Sequence, residues 1–250
     1  MASTGPARDP ADTSLRTQVY ESLREALTAG RFRPGQKLTF RFVADAVGVS
    51  LTPVREALRR LVAEGAFEMQ PNRSVRVPPM TRAKVLELRD IRIAMEGLAA
   101  EKAASNATRQ HVAQLRRIAL EIAAARSRGD SVADRQKICE FHFLLYSIAG
   151  QATLMRLIES LWLQTGPYMN LLYPDYVSRP RGPQMRARVI RALQARDGSA
   201  ARSEIENDIR HTLTYVADLA DELGNIVPAP PVDSASRSDT LKATATPQLH

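Results

Sequence analysis

Two short helical patterns lie almost end to end between residues 39 and 61, and few folds accept so abrupt a join. In "TFRFVADAVGV", Thr39 stands where a cap accepts an orphan backbone N–H, and Phe42, Val43, Ala46 and Val47 are the apolar positions. Gly48 can take the left-handed conformation that closes a helix. "VSLTPVREALRRL" then starts a second helix. Proline fixes φ near the helical value and lacks an N–H, so Pro53 fits a first turn, where that donor has no intrahelical partner. Ser50 or Thr52 can cap it. At about 100° per residue, Val54, Ala57, Leu58, Leu61 and Val62 share one arc while Thr52, Arg55 and Arg59 cluster opposite.

Helix, tight turn, helix with cations on the outer face of the second is the pattern of a helix-turn-helix, which lays its second helix in the DNA major groove. The downstream stretch "AFEMQPNRSVRV" alternates Phe67 and Met69 inward against Glu68 and Gln70 outward, breaks at Pro71 and Asn72, and resumes with Val75 and Val77 inward. This predicts a basic hairpin with Arg73 near its tip. Upstream, "LRTQVYESLREALTAG" predicts a helix, and "RFRPGQKL" a Pro-Gly turn.

Charge follows the same division. The formal net charge is +8. Residues 14–79 carry about 11 Arg/Lys against about 6 Asp/Glu, and the longer segment 80–250 about 23 against about 19. Positive charge is densest at the N-terminal end, which suits a polyanionic partner. A single cysteine, Cys139, excludes an intrachain disulfide and a Cys-cluster metal site. "MASTGPARDPADTS" has no apolar run of the kind a signal peptide needs, and no later run reaches the roughly 18 apolar residues of a membrane span. A cytoplasmic protein without a membrane partner is expected.

Residues 1–13 and 225–250 are polar or rich in Pro, Ser, Thr and Ala, and both are expected to be disordered tails. Pro78 and Pro79 mark a boundary. Beyond them every segment from about Thr81 to Leu223 has helical periodicity without a strand pattern, so 80–224 is expected to be an all-helical bundle. The fold class predicted is mainly α: a winged helix-turn-helix with a small β-hairpin over 14–79, then an all-α effector-binding and dimerisation domain.

With "AGRFRPGQKLT", "VADAVGVSLTPVREALRRLVAEGAF" and "MQPNRSVRV", the chain resembles the GntR family of bacterial transcription regulators. "LRDIRIAMEGLAAEKAA" and "FHFLLYSIAGQATL" resemble the FCD-type effector domain of its FadR subfamily, so that the resemblance spans about residues 15–222. It implies a homodimer that binds double-stranded operator DNA and responds to a small molecule, often a carboxylate, held in the helical domain. Arg41, Thr52, Arg55 and the tip from Pro71 to Arg73 match DNA-contacting positions of the family. With the rest of the outward ridge, the candidate DNA-binding set is Arg41, Ser50, Thr52, Arg55, Arg59, Asn72 and Arg73. Two departures matter: Leu51 replaces a usual arginine, and Ser74 stands where the wing tip usually has glycine.

Many relatives hold a divalent metal with an aspartate one turn before the histidine of "FH" and two later histidines. Here His142 remains, but Ile138, Arg186 and Asp208 stand at the other three places. An arginine among the ligands repels a cation, so no metal cofactor is expected, although His211 could substitute for one ligand. A buried Arg186 needs a partner. Either it pairs with Asp208 as part of the structure, or it binds an anionic effector through a bidentate guanidinium contact, together with Arg92, which matches a usual arginine of the subfamily. Trp162, Tyr168 and Tyr173 either line an apolar part of the pocket or belong to the core. The effector-binding candidates are thus Arg92, His142, Trp162, Arg186 and Asp208.

Enzymatic function has little support. Cys139 and His142 lie three apart on one helix, but no oxyanion-hole loop, phosphate cradle or third orienting residue accompanies them. A dimeric DNA-binding protein with a degenerate, ligand-independent bundle is the alternative. RNA binding would call for an aromatic stacking platform, which residues 14–79 lack.

Overall fold

The computed structural model describes residues 10–173, 175–177 and 181–226. Helix α1 (Pro10–Thr28) buries Val19, Leu23, Ala26 and Leu27 against α3 (Leu51–Ala63), whose Val54, Ala57, Leu58 and Leu61 face inward as the periodicity requires. Between them, α2 (Phe40–Val47) is capped by Thr39, whose hydroxyl accepts from the Phe42 amide at 3.1 Å. It closes on Gly48 at φ 75°. Its deepest aromatic is Phe40 rather than Phe42, which packs only partly against the core. Ser50 occupies the cap position of α3, yet its side chain makes no capping bond.

The wing is a three-stranded antiparallel sheet in the order β1 (Lys37–Thr39), β3 (Ser74–Arg76), β2 (Glu68–Gln70). The sequence predicted only the β2–β3 hairpin; β1 is three residues long, too short to show a period. Leu38, Val75 and Met69 lie in register across the sheet. Leu38 and Val75 are buried, whereas Met69, expected inward, is 48 % exposed. Its strand is at the sheet edge, beyond the margin of the core, so alternation places it on the correct face without covering it.

The second unit comprises α4 (Arg82–Asn106), α5 (Arg109–Ser127), α6 (Ser131–Ser147), α7 (Ala152–Thr165), a 3-10 segment (Gly166–Leu172), α8 (Arg181–Ala195) and α9 (Gly198–Ala217). Thr81, Thr108, Asp130 and Asp197 cap α4, α5, α6 and α9 through their side chains, each satisfying a backbone donor that the helix leaves open. Ala99, Ala100, Ala103 and Ala104 of α4 are buried in the bundle core, and α4 packs extensively along α9. No described helix is long and apolar enough to cross a membrane.

Three expectations are corrected here. The bundle is not wholly helical: β4 (Met80–Thr81) pairs antiparallel with β5 (Asn225–Ile226), and the Gly224 carbonyl accepts from the Arg82 amide at 2.8 Å. The segment after α7 winds as 3-10 rather than α. Both expected tails begin later or end sooner than predicted, because α1 opens at Pro10 and β5 takes residues 225 and 226. The remaining tail residues lie outside the described part of the chain.

The two units share a junction. Leu163 of α7 is buried in the core of the winged unit. Tyr168 donates to the Pro78 carbonyl at 2.7 Å. Asn170 donates its side-chain amide to the carbonyls of Gly30, Phe32 and Pro167. The Cys139 thiol donates to the Thr28 carbonyl at 3.4 Å.

Candidate functional site

On the winged unit, Arg41, Ser50, Thr52, Arg55, Arg59, Asn72 and Arg73 are all exposed. Among the described residues Arg41, Arg55, Arg59 and Arg73 make no ion pair, whereas neighbouring cations are neutralised: Arg16 by Glu56, Arg60 by Glu64 and Arg76 by Glu68. Arg60 also stacks on the Tyr20 ring, 3.6 Å from its centroid. Among the described residues, the outward ridge and the wing tip thus present exposed cations without an ion pair, as do Arg33 and Lys37 nearby.

The tip is held to the ridge by the backbone. Asn72 and Arg73 both take left-handed φ, 62° and 51°, and the Arg73 carbonyl accepts from the Phe40 amide at 3.1 Å, beside Arg41. Ser74 donates to the Pro71 carbonyl at 2.7 Å and is not left-handed, so the turn does not need the glycine usual there. Leu51, in place of a usual arginine, is 41 % exposed at the start of the ridge.

Within the bundle lies a cavity of about 110 Å³, walled by residues of α4 to α9 and the 3-10 segment. Arg92, His142, Trp162, Arg186 and Asp208 all line it, as does Tyr173; Tyr168 does not, being turned to Pro78. Thr28 and Ala29, from the end of α1, complete the wall. The residue one turn before His142 is the apolar Ile138, also on the wall. Together with Arg186, this set does not fit a divalent cation. Among the described residues no three His, Cys, Asp or Glu gather as ligands, and His211 faces solvent with its Nδ1 against the Asn207 carbonyl.

A buried relay crosses one side of the cavity. Arg92 donates from Nε and Nη2 to the two Glu96 oxygens, from Nη1 to Thr165 at 3.0 Å, and lies 4.6 Å from the Trp162 ring centroid. Tyr146 donates its only proton to Glu96 at 2.6 Å. Towards His142 Nδ1, 2.9 Å away, the same hydroxyl can then only accept. His142 must carry its proton on Nδ1, which leaves Nε2 a lone-pair acceptor. Burial, with Arg92 and Arg186 nearby, pulls its pKa down to about 3, so the ring is neutral.

The remaining charges divide into paired and unpaired. Arg126 is paired with Asp134, which also accepts from Tyr173 at 2.8 Å. Arg135 donates to the Ala29 carbonyl at 3.3 Å and stacks on Tyr173. Arg186 and Asp208 have neither a hydrogen bond nor an ion pair among the described residues, so the direct pair, one of the two alternatives for Arg186, does not form. Arg186 is only 5 % exposed, and burial with Arg126 nearby lowers its pKa to about 10. Arg92, expected to share an anionic ligand, has its fork occupied by Glu96. The sequence reading missed Glu96, Tyr146, Asp134 and Arg135; the four-residue spacing of Arg92 and Glu96 was the one available sign.

Asp208 is half-buried on the cavity wall, and desolvation outweighs Arg186 and Arg92 to push its pKa up to about 6. Between its ordinary value and about 6 the folded chain holds more protons than the unfolded one. The stability Asp208 contributes therefore falls as pH rises through that window and is lowest above it. Asp208→Asn is expected to be more stable than wild type at pH 7.5, by on the order of 2 kcal/mol, with the gap closing near pH 4. Paired urea melts at the two values test this; equal stability at pH 7.5 contradicts it.

Cys139 is no nucleophile here: burial pushes its thiol up to about 12, and its proton rests on Thr28.

Residues 15–77 match the family described as bacterial regulatory proteins, gntR family, and residues 87–211 match the FCD domain. The HTH-type transcriptional regulator McbR of Escherichia coli is 32 % identical over 173 residues, 69 % of this chain and 77 % of the relative. The HTH-type transcriptional repressor RspR of the same organism is 30 % identical over 218 residues, covering 83 % and 91 %. The solved structure of E. coli McbR/YncC superposes with a TM-score of 0.75 at 29 % identity, over 80 % of this chain and 97 % of that one. A winged unit with unpaired outward arginines, joined to an FCD bundle, thus belongs to the GntR family: the chain is a DNA-binding transcriptional regulator and not an enzyme.

Proposed function

We propose that this regulator binds its operator as a homodimer through Arg41, Thr52, Arg55, Arg59 and the Asn72–Arg73 tip, and that a small carboxylate seated on Arg186 changes that binding. The observation that carries the second half is a buried guanidinium that faces a cavity and has no hydrogen bond or ion pair among the described residues. An interior charge left unpaired is costly, and a bound anion removes the cost. The route to DNA is short. Thr28 and Ala29 form part of the cavity wall, and α1, which they terminate, packs on α3. A ligand that displaces Arg135 or Cys139 from those two carbonyls acts directly on the helix behind the recognition helix.

Binding to duplexes from the protein's own locus, followed by fluorescence anisotropy, tests the DNA half. With four unpaired arginines in each of two protomers, log K is expected to fall with log salt at a slope of up to roughly −7. Arg55→Ala should cost about 1–3 kcal/mol on operator and less on random duplex, while Arg59→Ala should weaken both alike. Equal losses for Arg55→Ala on both duplexes remove its assignment as a reader of bases. Thermal shift with short carboxylates tests the other half: the response should vanish in Arg186→Met. If no carboxylate acts, the bundle serves dimerisation alone.

A further inference from the structure

A bare carboxylate answers only one of the two unpaired charges on the cavity wall. Arg186 presents N–H donors that have no acceptor among the described residues. Asp208 presents a carboxylate to which no group donates among the described residues. His142, fixed as its Nδ1–H form by Tyr146 and Glu96, adds a second acceptor at Nε2. The wall is therefore bipolar, with donors in one set of residues and acceptors in another.

We propose that the cavity takes a small zwitterion, its carboxylate on Arg186 and its ammonium on Asp208 and His142 Nε2. This rests on the reading above that a carboxylate occupies the site. A simple carboxylic acid leaves the half-buried Asp208 opposite nothing and adds a second negative charge beside it. A hydroxy acid offers one proton where two acceptors wait, and brings no positive charge beside Asp208. An ammonium carries three protons and a compensating charge, so it satisfies both acceptors and makes the unpaired set electrically neutral. Size agrees. A cavity of about 150 Å³ accommodates the six non-hydrogen atoms of benzene, so about 110 Å³ suits an occupant of about five non-hydrogen atoms, in the size range of the shortest amino acids.

Matched probes separate the two halves of the claim. Titration calorimetry of the full chain at pH 7.5 would compare racemic alanine and β-alanine with their hydroxyl counterparts, lactate and 3-hydroxypropionate, and with propionate, which lacks the second group. At least one amino acid is expected to bind tenfold or more tighter than its hydroxyl counterpart and than propionate. Asp208→Asn, a near-isosteric change, should erase that preference while leaving the carboxylate response, and Arg186→Met should remove both. Propionate or a hydroxy acid binding as tightly as the amino acids overturns the zwitterion and leaves the carboxylate reading standing. Silence from all five probes overturns both. These comparisons within wild type decide the matter even if a variant fails to fold.

Discussion

Glu96→Ala is expected to lose about 3–5 kcal/mol of stability, because it strands a buried cation. Glu96 is fully buried and accepts three hydrogen bonds, two from Arg92 and one from Tyr146. Without it, the Arg92 guanidinium keeps only Thr165 and the Trp162 face. Against a total stability of roughly 5–15 kcal/mol for a typical domain, such a loss shifts the urea midpoint plainly. The companion experiment separates the stranded charge from lost packing. Arg92→Met in the Glu96→Leu background replaces the pair with apolar groups of similar size, and such exchanges are often neutral or better. The double variant should therefore regain most of what Glu96→Ala loses. A Glu96→Ala midpoint within about 1 kcal/mol of wild type contradicts the account.

Gly166→Ala should break the junction between the two units. The backbone at Gly166 is ordinary helix, φ −50° and ψ −47°, so alanine carries no conformational penalty there and is intrinsically the better helix former. The obstacle is α1. A Cβ built on Gly166 falls well inside contact distance of the Leu27 carbonyl oxygen and 3.0 Å from Thr28 Cα, both backbone atoms that no rotamer change can move. Relief requires α1 to withdraw, which breaks the bonds from Asn170 to Gly30 and Phe32 and from Cys139 to Thr28. The expected result is a single calorimetric transition splitting into two, with protease cleavage appearing at the linker near Pro78 and Pro79. Binding to DNA should persist, since every candidate contact lies within the winged unit. One unchanged transition and an intact linker would refute the role of this close approach.

How much of this was legible in the chain depends on distance along it. Thr39, Gly48 and the burial of Val54, Leu58 and Leu61 are local consequences of capping chemistry and helical period, and they appear as read. Met69 shows the limit: its alternation is correct, but whether an inward residue is covered depends on a neighbouring strand. The cavity set shows the same. Arg92, His142, Trp162, Arg186 and Asp208 do converge on one cavity, yet which of them pair was not readable. Chemistry alone suggests Arg186 with Asp208; packing instead gives Arg92 to Glu96 and Arg126 to Asp134, and leaves the suggested partners apart. The wall supplied by Thr28 and Ala29 was invisible, because those residues meet α6 across more than a hundred positions, 111 in the case of Cys139 and Thr28.

That borrowed wall bears on anyone who would build hybrids from this protein. Cutting at the proline pair and transplanting residues 15–77 onto another bundle carries off one panel of the cavity with the winged unit. Under the proposed function any ligand preference would then drift, and restoring it would mean redesigning the end of α1 together with the bundle it closes.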